Sequence, residues 1–218
     1  VKSGRKLLSR VEFASFLVYS PRGKTELSTK SRKVRDAIKY DIPGKIDSIV
    51  NRLSQQLLNF PRWFGSDVIV VPVPRSSPFP QGPFKPENTL WVSKQICLAL
   101  VRNGLASDVV PCLERIYATK KSAYSAPGER PTVFEHYDSI VCTPPLFQAS
   151  KILVVDDILT KGRTMLASAS RVVEACPNSS VRGFALLRTM GLIPEIERII
   201  DCCVGTLEFS NEDTHRNP

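Results

Sequence analysis

Apolar residues along this 218-residue chain follow two rhythms. Where they recur every third or fourth position the spacing predicts helices, and where they run uninterrupted for four or five residues it predicts strands covered on both faces. Residues 45–60 set Ile46, Ile49, Val50, Leu53, Leu57 and Phe60 on one helical stripe, with Pro61 as its stop. Helices are likewise expected at 32–40, with Val34, Ala37 and Ile38 inward, at 89–103, at 164–176 ahead of Pro177, and over a short stretch at 193–200. The runs 68–74 and 151–155 lack polar alternation and read as buried strands. Further strands are expected at 13–19, 109–113, 139–143, 181–187 and 204–209. Two stretches break the pattern: 75–88 is rich in proline, and 117–131 is basic and rich in Ser, Ala, Gly and Pro. A loop as long as the second usually serves as a lid or binding segment.

Strands alternating with helices imply an α/β protein with a mostly parallel sheet flanked by helices. With 42% hydrophobic and 23% charged residues the chain can bury the core of one such domain. No apolar run approaches the ~18 residues of a membrane span, and the first residues carry no signal-peptide pattern. The six cysteines include no Cys-x-x-Cys pair, and most sit in or beside apolar segments. Reduced thiols in a cytoplasmic protein are therefore expected, not a disulfide scaffold or zinc site.

The formal charge of +9 is placed unevenly: residues 1–66 hold 14 Lys and Arg against 5 Asp and Glu, and the remainder balances. The cluster Lys30, Arg32, Lys33 and Arg35 suits a nucleic acid, an acidic protein partner, a polyanionic ligand, or simply a solvated helix face.

Chemistry concentrates in residues 151–165. The apolar run through Val155 meets Asp156 and Asp157; Thr160, Lys161, Gly162, Arg163 and Thr164 then lead into the next helix. Parallel sheets bind ligands beyond the carboxyl ends of their strands, and free N–H groups at a helix start favour an anion. Paired Asp residues alone serve equally as a solvated turn or an N-cap. Acids beside a phosphate cradle together fit a sugar phosphate. The turn after 68–74 supplies Arg75, Ser76 and Ser77, a set suited to a diphosphate or to an ordinary proline-rich turn.

The segment of four apolar residues, two acids, two more apolar residues and Thr160-Lys-Gly-Arg-Thr164 resembles the phosphoribosyl pyrophosphate motif of type I phosphoribosyltransferases. Val70-Val-Pro-Val-Pro-Arg75, Leu113-Glu-Arg115, Glu129-Arg130, Ala185-Leu-Leu-Arg-Thr189 and, upstream, Ala37-Ile-Lys-Tyr40 are similar to competence protein F-type members of that superfamily. The chain departs from them in lacking a cysteine-rich N-terminal zinc element and in its tail after Thr189. The resemblance implies the fold of that superfamily, with a basic N-terminal segment and hood at 1–66, a core at 67–191, a C-terminal extension at 192–218 packing on the core, and a small hood formed by both terminal segments. It implies a glycosyltransferase-class enzyme that moves phosphoribose from phosphoribosyl pyrophosphate to a nitrogen nucleophile, an unidentified acceptor base. Asp156 and Asp157 would bind the ribose hydroxyls, Thr160 to Thr164 the 5-phosphate, and Arg75, Ser76 and Ser77 the pyrophosphate. Mg²⁺ would be held through pyrophosphate and water, with Asp156 or Asp157 as its protein ligand. Arg115, Lys120, Lys121 and Arg130 are the lid candidates. A homo-oligomer is compatible with this class, as is a non-catalytic regulator or nucleic-acid-associated accessory using the same pocket.

Overall fold

A computed structural model describes residues 4–78, 90–119, 130–144, 149–191 and 195–218. The strand β1 (Arg10–Tyr19) is followed by helices α1 (Glu26–Lys39) and α2 (Lys45–Ser54), strand β2 (Val68–Pro72), helix α3 (Val92–Arg102) and the short strands β3 (Asp108–Val109) and β4 (Leu113–Arg115). Helix α4 (Val133–Ser139), strands β5 (Ile140–Cys142) and β6 (Lys151–Leu159), helix α5 (Arg163–Ala175) and strands β7 (Ser180–Thr189), β8 (Ile200–Ser210) and β9 (Asp213–Asn217) complete the chain.

Seven strands form one sheet in the order β3-β2-β6-β7-β1-β8-β9. The contacts from β3 through β1 are parallel; β8 and β9 join antiparallel. Successive residues of β6 feed opposite cores, as strand geometry requires. Leu153 and Val155 pack with Phe16, Ile38, Leu53, Leu100 and Phe184 on the side of α1, α2 and α3. Ile152 and Val154 pack with Phe13, Leu113, Ile140, Met165 and Leu207 on the side of α4 and α5. Gly183 of β7 admits α5 to the sheet, since a Cβ there would stand 2.8 Å from the Met165 sulfur. Among the described residues no helix is long and apolar enough to cross a membrane.

Several expected boundaries move for identifiable reasons. Helix α1 starts at Glu26 because the Thr25 side chain accepts from Ser28 N and caps it. Helix α2 ends at Ser54, and of the remaining stripe residues Leu57 falls in a separate 3₁₀ turn at Leu57–Asn59 and Phe60 caps its end. The single strand expected at 109–113 is two pieces either side of Pro111, β3 in the main sheet and β4 paired with β5. Helix α4 falls where no element was expected, under a capping box made by Thr132 and Glu135. The stretch 195–199 is not helical, and the first residues of the expected helix, 193 and 194, lie outside the described residues. Ile200 instead opens β8, which with β9 forms a C-terminal hairpin.

Candidate functional site

The strand order creates a crevice. From β2 the chain leaves through α3 toward β3, while from β6 it leaves through α5 toward β7, and the two helices lie on opposite faces. The carboxyl ends of β2 and β6 therefore flank a topological switch point, the ordinary ligand position of an open α/β sheet. Val73 N donates to Val155 O at 2.8 Å, so the segment holding Arg75, Ser76 and Ser77 emerges beside the one holding Asp156 and Asp157.

Strand β6 does not end at the acids. It continues through them to Leu159, pairing Asp156 with Ala185 and Ile158 with Leu187 of β7. The loop is thereby reduced to Thr160, Lys161 and Gly162. Gly162 is left-handed, with φ of 86°, and is followed at once by Arg163 as the first residue of α5. No side chain caps this helix, so its first N–H groups face the turn without a side-chain acceptor.

The two carboxylates meet different surroundings. Asp157, 8% exposed, receives the Lys39 ammonium from the last turn of α1 at 2.8 Å. Burial lowers the Lys39 pKa, but Asp157 and Asp156 outweigh it and leave the ammonium above its ordinary value. Burial and the neighbouring Asp157 push the Asp156 carboxyl up to about 8. Asp156 Oδ1 accepts from Asp157 N at 2.9 Å, and Asp157 Oδ1 from Ile158 N at 2.8 Å.

Arg75, Ser76 and Ser77 are half-buried, and their turn is fixed by its carbonyls. Trp91 Nε1 donates to Val73 O at 2.8 Å, Arg115 Nε to Arg75 O at 2.7 Å, and Thr119 N to Ser76 O at 2.9 Å. Arg115 braces this turn from a buried position: it is 3% exposed and also bonds Ser139 Oγ and lies 3.5 Å from His136 Nδ1. Burial brings its pKa down to about 10, partly countered by Asp156. His136 Nε2 in turn lies 3.3 Å from Thr164 Oγ1. Facing Arg115 with Nδ1, the imidazole accepts there and donates from Nε2. Burial, with Arg115 and Arg163, holds it neutral by moving its pKa down to about 4. A chain from Arg75 O through the buried Arg115 and His136 to Thr164 links the two turns.

The C-terminal hairpin braces the same turn. Asp213 of β9 binds Arg163 bidentately at 2.6 and 2.7 Å and Lys161 at 2.9 Å, which holds its carboxyl far below the usual range. The cationic ends of Lys161 and Arg163 are therefore directed at Asp213. Arg163 also donates to Pro131 O at 3.0 Å. Arg216 donates to Leu159 O and Thr160 O at 3.1 Å and to Thr189 O at 2.9 Å, and Thr160 Oγ1 meets Thr189 Oγ1 at 3.2 Å. Arg130 is half-buried; Lys120 and Lys121 lie outside the described residues.

Lys39, His136, Asp213 and Arg216 escape a reading of local pattern. Lys39 stands in the quoted Ala37–Tyr40 segment, but only the folded chain carries α1 to the acids. Much of the N-terminal charge is engaged internally. Lys30 pairs with Glu26 and Arg35 with Asp36, while Arg32 donates to the Ser20 and Gly23 carbonyls.

No protein-family model and no curated protein sequence matches the chain. Among solved structures it is similar to adenine phosphoribosyltransferase from Leishmania donovani, with a TM-score of 0.36 and 13% identity over 80% of this chain and 76% of that one. The adenine phosphoribosyltransferase of Leishmania tarentolae gives the same TM-score and identity, over 80% of this chain and 83% of that one. The likeness is remote, and the α/β fold is defined by the chain's own strand order and register.

Proposed function

We propose that this chain binds phosphoribosyl pyrophosphate with Mg²⁺ and transfers phosphoribose to a nitrogen nucleophile, in the manner of the competence protein F-type phosphoribosyltransferases its motifs resemble. The observation that carries the reading is the continuity of Asp156, Asp157, the three-residue turn and the uncapped α5 N-terminus at a switch point of the sheet. Hydroxyl donors and a terminal phosphate separated by one ribose need acids and an anion seat in that succession.

In this reading the N–H groups at Gly162, Arg163 and Thr164 hold the 5-phosphate. Asp157 and Asp156 accept the ribose hydroxyls, so binding exchanges the Lys39 ammonium for sugar O–H donors. The Arg75–Ser77 turn, held by Trp91 and Arg115, faces the leaving pyrophosphate. Scission of the C1–O bond puts positive charge on the ribose and negative charge on pyrophosphate. The Asp157 carboxylate and the Arg75 guanidinium would favour that separation. Among the described residues no cluster of three His, Cys, Asp or Glu side chains is arranged to hold a metal alone. Asp156 or Asp157 would instead serve as the protein ligand of Mg²⁺ carried by the diphosphate. The ion would neutralise diphosphate charge when bound.

Calorimetric titration with phosphoribosyl pyrophosphate and Mg²⁺ tests the assignment. Asp156→Asn with Asp157→Asn is expected to weaken binding at least ~100-fold while the far-ultraviolet spectrum stays native, given the loss of the charge-assisted bonds to Asp157 at ~1.5–3 kcal/mol each. Unchanged affinity in the double variant overturns the site. Pyrophosphate release with a panel of bases then separates turnover from ligand sensing without turnover. Titration with DNA or RNA across salt concentrations tests the basic N-terminal face, where polynucleotide binding would give a steep salt slope.

A further inference from the structure

Outside the site, one pair of nucleophiles is placed together without a role in it. Cys112 lies just before β4 and Cys142 ends β5, and the two strands are antiparallel partners with Leu113 opposite Cys142. Thr143 N donates to Cys112 O at 2.9 Å, which extends the ladder past both cysteines. Their sulfurs are 3.6 Å apart, with the Cys142 thiol donating to Cys112 Sγ. Both residues are half-buried rather than sealed, and Cys142 forms part of the wall of a cleft of about 290 Å³ together with Arg171 and Glu174.

We propose that Cys112 and Cys142 are an oxidation site that a peroxide converts to an intramolecular disulfide. The ladder holds the two backbones adjacent, and bonding needs the sulfurs to close from contact to about 2.05 Å. Cys112 is the attacking sulfur, because the hydrogen bond from Cys142 favours its thiolate, whereas Cys142 is disfavoured as a thiolate by that same bond and by burial. In the first step the Cys112 thiolate attacks one peroxide oxygen; an S–O bond forms, the O–O bond breaks and hydroxide leaves. In the second, Cys142 gives up its proton and attacks the Cys112 sulfur; the S–S bond forms, the S–O bond breaks and a second hydroxide leaves. The hydroxides take up the two thiol protons, so two thiols and one hydrogen peroxide yield one disulfide and two waters. Two electrons pass from sulfur to peroxide.

The other cysteines are placed differently. Cys97 is fully buried, and desolvation pushes its thiol well up. Cys202 and Cys203 are consecutive in β8 and pack into opposite cores. Cys176 caps the end of α5 and is near enough for the charge of Cys112 to raise it, so it is the one rival partner. Cys112 also stands three residues before Arg115, on the ribbon that reaches the Arg75 carbonyl. The inference is independent of the proposed activity.

The test uses the full chain, reduced, desalted and exposed to hydrogen peroxide, then mapped by peptide mass spectrometry without reductant. A linked Cys112–Cys142 peptide pair lacking two hydrogens is expected, and reductant should reverse it. Cys112→Ser and Cys142→Ser should each abolish that link, while Cys97→Ser leaves it intact. With Cys142→Ser, a 1,3-diketone trap should label Cys112 as sulfenic acid at least ~10-fold faster than Cys97, as thiolate access predicts. A dominant link to Cys176, or native protein that loses neither Cys112 nor Cys142 thiol under peroxide, overturns the proposal.

Discussion

Burial sets the protonation of two side chains at the candidate site in opposite senses, and each leaves a mark on stability. Asp156 is pushed up to about 8, so between the ordinary carboxylate range near 4 and that value the folded chain keeps a proton the unfolded chain releases. Its contribution is therefore lost as pH rises, at a slope of up to about 1.4 kcal/mol per pH unit. Asp156→Asn retains the shape without the titration. Calorimetric melts are expected to show the wild type losing stability from pH 5 to 9 and the variant losing less, with the gap widest at high pH. His136 runs the other way: its pKa falls to about 4 within the fold, so its stability is present above ~6.5 and lost as pH drops toward 4. His136→Gln, which keeps a donor and an acceptor, should flatten the acid limb of the same curve. If instead the variant steepens that limb, the neutral imidazole between Arg115 and Thr164 is misassigned.

At the scale of elements, the turn at residues 160–162 is built jointly by β6, α5 and the β8–β9 hairpin. Gly162 shows the tightness of that joint. Its φ of 86° suits glycine, and a Cβ would stand 2.4 Å from Leu207 Cδ2 of β8. Gly162→Ala should cost about 1–3 kcal/mol of stability in urea titrations and weaken anion binding. Adding Leu207→Ala would relieve the contact but not the backbone, so the pair should recover none of the lost affinity. Asp213→Ala should leave Lys161 and Arg163 without their carboxylate and loosen the turn, read as faster amide exchange at Gly162 and Thr164. Local pattern reached some of this architecture. Uninterrupted Ile-Leu-Val-Val marked β6, and the acids and Thr160–Thr164 followed from its end. The extension of β6 to Leu159 was hidden, because pairing of Asp156 and Ile158 to β7 is decided by the neighbouring strand. Helix α4 was signalled only by Thr132 and Glu135, three residues apart, since a seven-residue helix has too few turns to display a stripe. Arg216 and Asp213 lie more than 50 residues from the loop they hold, and no spacing rule connects them.

For the whole molecule, stability depends on both faces of one sheet. Phe16 is fully buried in β1 against the layer of α1, α2 and α3. Phe16→Ala is expected to cost about 3–5 kcal/mol by loss of transfer energy and the cavity left behind, measured by calorimetry. The residues before 67, where the +9 charge is concentrated, include β1, an interior strand of the sheet, and Lys39 of α1, which reaches the acids of β6.

The position of β1 has a consequence for synthesis. It leaves the ribosome well before its two neighbours in the sheet, β7 and β8, about 160 residues further along the chain. At about 5–20 residues per second, a strand of mostly apolar side chains waits on the order of ten seconds or more with both its edges unpaired. Expression yield should therefore depend on chaperones that shield nascent segments, and cold, slow translation would lengthen the exposure.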